Sequence, residues 1–147
     1  MIVRFTPSRP AYLRVVRASA WYDLVVTAGF VTPWTYAFVH GALSSLGVTL
    51  GLGVMPPLGP LQILYANLMG SVVVVWAILR IVRPLPVHGL FDGAARTLFA
   101  IWQAYALSQG LTRVLWLFLV VEVTFGVLQL APWRPSRAAR SVAVRSS

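Results

Sequence analysis

The chain of 147 residues contains no cysteine and no lysine, and only Asp23, Asp92 and Glu122 oppose its twelve arginines. Without cysteine there is no disulfide, thiolate nucleophile, iron–sulfur cluster or Cys-based zinc site. Charge of either sign is scarce. Only 10% of residues are charged and 59% are hydrophobic, where a soluble domain carries about 25% charged residues, and the mean hydropathy is +0.79. A soluble core does not account for that balance. The net charge of +9 invites nucleic acid as a partner. The arginines, however, stand at the chain ends and helix junctions rather than along one soluble face, and nucleic acid is set aside. Phosphate-binding glycine loops of the GxxxxGK and GxGxxG types are also missing, and Gly51-Leu-Gly53 is too short a match to carry meaning.

What fills the chain instead is apolar sequence. No charged side chain occurs from Leu24 to Leu79, which is enough for two membrane crossings. The expected architecture is all-α: an integral membrane four-helix bundle with spans near 18–43, 61–82, 91–109 and 111–131. Together these make a transmembrane domain over 18–133, between a basic leader (1–17) and a basic, serine-rich disordered tail (134–147). The leader, with Leu13, Val15 and Val16 beside Arg14 and Arg17, is suited to the lipid surface and is taken as the start of an uncleaved signal anchor. Pro33 falls inside the first span and predicts a kink, with Thr32 or Thr35 covering the freed carbonyl. The Gly/Pro-rich stretch 47–60 breaks the helix and, being apolar, is expected in the interface or folded back on the bundle. Gln109-Gly110 marks a tight junction between the last two spans.

Orientation follows from counting arginines. With both termini on one side, eleven arginines collect there and Arg113 stands alone on the other. The positive-inside rule then makes a multi-pass protein of the cell membrane with cytoplasmic N- and C-termini.

Two polar sites are expected. Asp23, Arg80, Asp92 and Arg96 fall near the cytoplasmic ends of their helices and form an inner-leaflet ion-pair layer, with Asp23 pairing Arg80 or Arg96 and Asp92 pairing Arg96 at i,i+4. Glu122 lies about nine residues beyond Arg113, near the midplane, and its side chain leans outward, away from that layer. Thr27, Ser71 and Gln103 share its depth, so the expectation is a protonated Glu122 hydrogen-bonded to one of these neutral groups. His40 and His88 lie a membrane apart and cannot share a metal or haem, and no Ser-His-Asp arrangement is visible. No metal or cofactor is expected. The partners expected are membrane lipid, with a membrane-protein partner or a second copy of the chain. Three functions remain: foremost a non-enzymatic accessory or assembly subunit of a membrane complex, then a small proton- or cation-linked transporter using Glu122, then an intramembrane lipid-binding protein or enzyme with a pocket among Trp76, Trp102, Gln103 and Glu122.

Overall fold

The computed structural model describes residues 9–131, and these contain five α-helices and no strand. The helices are α1 (Arg9–Thr27), α2 (Pro33–Thr49), α3 (Pro60–Val82), α4 (Pro86–Ser108) and α5 (Leu115–Leu130). Only α3 is both long and apolar enough to cross a membrane, and α5 is apolar but shorter. The tail 134–147, Trp133 and the first residues of the leader, Arg4 included, lie outside the described residues.

Prolines set three of the helix starts. Pro33, Pro60 and Pro86 each occupy the first helical position, where a fixed φ is pre-organised and the missing N–H costs no hydrogen bond. This alters the expected first span. Instead of one kinked helix over 18–43, α1 ends at Thr27, a 3-10 turn covers Ala28–Phe30, and α2 starts afresh at Pro33. Thr32 is extended (φ −123°, ψ 153°), and its hydroxyl accepts the Thr35 N–H at 3.2 Å. Thr35 Oγ1 in turn donates to the Thr32 carbonyl. The carbonyl freed at Phe30 is covered from elsewhere: Asn67 Nδ2 on α3 donates to it at 2.7 Å. Replacing Thr32 with alanine removes the cap and is expected to cost about 0.5–2 kcal/mol, read as a lower thermal midpoint of the purified protein.

The leader is packed inside the bundle at Tyr12 and Val16 rather than lying wholly on an outer surface. Residues 9–17 form the first half of α1, because Tyr12 and Val16 are buried against the bare backbone of Gly89, where an added Cβ would meet both side chains. At the other end of the bundle, Gly110 (φ 83°) closes α4. The Gly110 N–H reaches the Leu107 carbonyl and the Leu111 N–H the Ala106 carbonyl, the paired bonds of a Schellman C-cap. The apolar loop after α2 folds back on this corner. Leu52 O accepts from the Arg113 N–H at 3.1 Å and from Thr112 Oγ1, and Val114 is buried against Gly47.

Helix α4 packs along α5 and α1 packs along α3, while α3 and α4, although consecutive, do not pack closely on one another. Glycines allow the α4–α5 approach: Gly93 faces Leu130 and Gln129, and Gly126 faces Arg96 and Gly93. The distribution of polarity is inverted relative to a soluble bundle. Asp23, Arg80, Asp92, Arg96, Ser19 and Gln129 are buried, whereas Trp34, Phe38, Val75, Leu98, Trp102 and Val127 are exposed.

Candidate functional site

Four helices send polar side chains to one place. Asp23 and Ser19 come from α1, Arg80 from α3, Asp92 and Arg96 from α4, and Glu122 and Gln129 from α5. Arg80 is fully buried and places Nη2 at 2.5 Å from Asp23 and Nη1 at 2.5 Å from Asp92. Arg96 touches all three carboxylates: Asp23 at 2.6 Å, Asp92 at 3.1 Å and Glu122 at 2.8 Å. The guanidinium suits this role because its donors lie in a rigid planar fork that engages several oxygens at once. Buried charges persist only when they are paired and hydrogen-bonded, and neutral groups complete the shell here. Trp76 Nε1 donates to Asp92 Oδ1 at 3.0 Å, and Gln129 Nε2 donates to Asp92 Oδ2 at 2.7 Å and to Ser19 Oγ at 2.6 Å. Tyr12 reaches the Gln129 carbonyl at 2.7 Å. The Arg80 and Arg96 guanidiniums also lie over the Trp76 and Phe125 rings.

The four residues expected as an ion-pair layer thus meet in a single cluster, but Glu122 is not separate from it. Its carboxylate accepts from Arg96 Nη1, so a Glu122 held only by neutral partners is not what the structure contains. The reason lies in helix length. Since α4 opens at Pro86, Arg96 sits ten residues in, about 15 Å along the axis, and is therefore level with the middle of the bundle rather than its edge. The neutral groups proposed for Glu122 are occupied elsewhere or remain apart from it. Thr27 Oγ1 donates to the Asp23 carbonyl and Ser71 Oγ to the Asn67 carbonyl, each back-bonding within its own helix region. Gln103 Oε1 is buried with no hydrogen-bond partner.

Ser19 and Tyr12 were not anticipated, although a signal existed: Tyr12, Val16, Ser19 and Asp23 recur at i, i+4, i+7 and i+11, one face of a helix. The two histidines each meet a backbone carbonyl, His40 that of Pro56 and His88 that of Arg83. Among the described residues no group of three or more His, Asp or Glu is placed to hold a metal ion.

Above the cluster lies a cavity of about 820 Å³ between α3 and α4, closed at the back by α1 and α5. Asp23, Asp92, Arg96 and Glu122 make its polar floor, and Trp76, Phe91, Phe99, Trp102 and Phe118 line its walls, with Thr27 and Gln103 also on its surface. A second cavity of about 730 Å³ lies on the α4–α5 side, and the Arg96–Glu122 pair borders both. The larger cavity is within the roughly 300–1,000 Å³ range of small-molecule sites, and apolar walls with a few convergent polar groups are their usual composition. The three carboxylates against two guanidiniums leave one negative charge in excess when all are ionised. Set against family models, curated proteins and solved structures, the chain matches none, so its function is argued from this site alone.

Proposed function

We propose that the chain is a multi-pass membrane protein that binds an amphiphilic small molecule in the α3–α4 cavity. The observation that carries the binding reading is the cavity itself: aromatic walls, an ionic floor, and an opening between two helices that do not pack together. Such a mouth faces the surrounding phase sideways, the route an amphiphile takes from a bilayer. The membrane placement is supported by the inverted polarity. An exterior of exposed Trp34, Phe38, Val75 and Val127 suits hydrocarbon, and intramembrane ionisable groups face the bundle interior and pair with one another.

In this reading α1 and α2 form one broken span, and α3, α4 and α5 supply the other three. A break at membrane depth is tolerated when neighbouring helices satisfy the freed groups, as Asn67 does for Phe30. Arg80 and Arg96 leave the flanking count because both are buried, but the remaining flanking arginines still fall on the side of the two termini, with Arg113 opposite. That keeps both termini cytoplasmic. A second reading, a proton- or cation-linked transporter, draws on the excess negative charge of the cluster. The assembly-subunit reading rests on small size and short loops and has no comparably specific feature behind it.

The absence of cysteine makes the cavity directly testable, since one substitution introduces one thiol. Ala95 lines the cavity beside Arg96, whereas Val75 lies on the exposed outer face of α3. In native membranes Ala95→Cys is expected to react with a small maleimide about tenfold faster than Val75→Cys, because the thiolate that reacts needs water or positive charge nearby. Equal rates at the two positions would count against an open polar-floored cavity.

A further inference from the structure

The cavity does not present its polar groups evenly. Both guanidiniums are committed to carboxylates: Arg80 has no exposed surface, and the Arg96 side chain is 3% exposed. Arg80 Nε is a buried donor without a hydrogen-bond partner among the described residues, but Arg80 does not line the cavity; the charged group with spare capacity on the cavity is an acceptor. Glu122 gives Oε2 to Arg96, its other oxygen receives no hydrogen bond among the described residues, and its side chain borders the cavity at 12% exposure. Gln103 Oε1, on the same cavity, is a buried acceptor with no donor. Buried acceptors without donors carry the full desolvation cost of the group, and an excess anionic charge in an apolar surround is costlier still. With Glu122 ionised, a cationic hydrogen-bond donor relieves both at once. The walls agree with that sign, because the faces of Trp and Phe rings carry negative quadrupole density and attract cations.

We propose that the occupant of the α3–α4 cavity is an amphiphilic organic monocation, its charged centre beside Glu122 and Gln103 and its apolar body between Trp76, Phe99, Trp102 and Phe118. A monocation makes the site neutral, since three carboxylates then face two guanidiniums and one ligand charge. The volume of about 820 Å³ admits a drug-sized molecule whole. Other charged or titratable groups facing Glu122 are Asp23 and Tyr22 from α1, Asp92 and Arg96 from α4, and, one contact further, Arg80 from α3. Of these only the arginines are cationic, and both are already paired.

The proposal rests on the binding reading above, and a matched pair of probes separates the two. Tetraphenylphosphonium and tetraphenylborate have nearly the same size and shape and opposite charge. Titrated into the purified full chain in neutral detergent and followed by quenching of intrinsic tryptophan fluorescence, the phosphonium is expected to bind at least about tenfold more tightly than the borate, a coupling of about 1.4 kcal/mol. Glu122→Gln, which removes the excess charge, should abolish that preference. Glu122→Asp, which keeps it, should retain the preference and so preserves the test if the glutamine variant fails to fold. Equal affinities, or tighter borate binding, overturn the cation assignment while leaving the cavity reading intact. If neither probe binds and Ala95→Cys labels no faster than Val75→Cys, both proposals fall.

Discussion

Substituting Arg96 with methionine is expected to destabilise the protein by about 3–5 kcal/mol, the cost of removing one partner from a buried ion pair and leaving the other uncompensated. Here three partners are affected. Among the described residues Arg96 is the only group that touches Asp23, Asp92 and Glu122 together, and Arg80 covers the first two. Methionine fills much of the same volume, so the loss reports charge pairing more than packing. Arg96→Lys should fall between, because a compact ammonium on a flexible stem cannot reproduce the planar fork that spans three carboxylates. Glu122→Gln keeps an amide oxygen for Arg96 Nη1 and should cost less than Arg96→Met. Reversible unfolding in mixed denaturing and mild detergents measures all three. A methionine variant within about 1 kcal/mol of the parent, the range of an ordinary substitution, would mean that the cluster does not hold the four helices together.

The second large effect is expected at Gly70. An added Cβ there would lie 2.7 Å from Phe30 Cβ, 2.8 Å from its carbonyl carbon and 2.9 Å from its oxygen. Two of those three atoms are backbone and cannot rotate away. Gly70→Val therefore pushes the 3-10 turn off α3 and strains the Asn67–Phe30 hydrogen bond at the break between α1 and α2. Overpacking of this kind costs about 1–3 kcal/mol, and the lost carbonyl partner adds to it. Ser71→Val is the matched control, since Ser71 is exposed and bonds only within its own helix, and its effect should stay within about 0.5 kcal/mol. The same unfolding assay separates the two, and similar losses at both positions would mean that the turn is not seated on Gly70.

How much of this was legible in the sequence depended on range. Helix α3, expected at 61–82, runs Pro60–Val82; its proline start and apolar composition are local features. Ion pairing among Asp23, Arg80, Asp92 and Arg96 is legible because all four fall near one end of their expected helices and Asp92 and Arg96 stand at i,i+4. The break at Pro33 was less legible. A proline in an apolar run is compatible with a kink or with a new helix start, and the choice was made by Thr32 capping one side and Asn67, 37 residues away, covering Phe30 on the other. Glu122 lies near the middle of α5, as expected, and gains a charged partner because Arg96 lies deeper than a helix start near residue 91 implies. A start at Pro86 rather than near residue 91 moves Arg96 about one and a half turns deeper, and the close α4–α5 approach across Gly93 and Gly126 then brings it within reach. Ser19, Tyr12 and Gln129 are uncharged, and their role as donors and acceptors to the cluster emerges only once the helices are assembled.

The central claim is that the polar cluster lies inside a bundle whose exterior faces lipid. Val25, Val75, Leu98 and Val120, on α1, α3, α4 and α5, are all exposed, and each can be replaced by the only cysteine in the chain and spin-labelled in reconstituted bilayers. Power-saturation spectroscopy should find all four labels accessible to dissolved oxygen and shielded from a water-soluble nickel chelate. Free access of the nickel chelate to these positions would contradict the membrane placement, and with it the proposed lateral entry to the cavity.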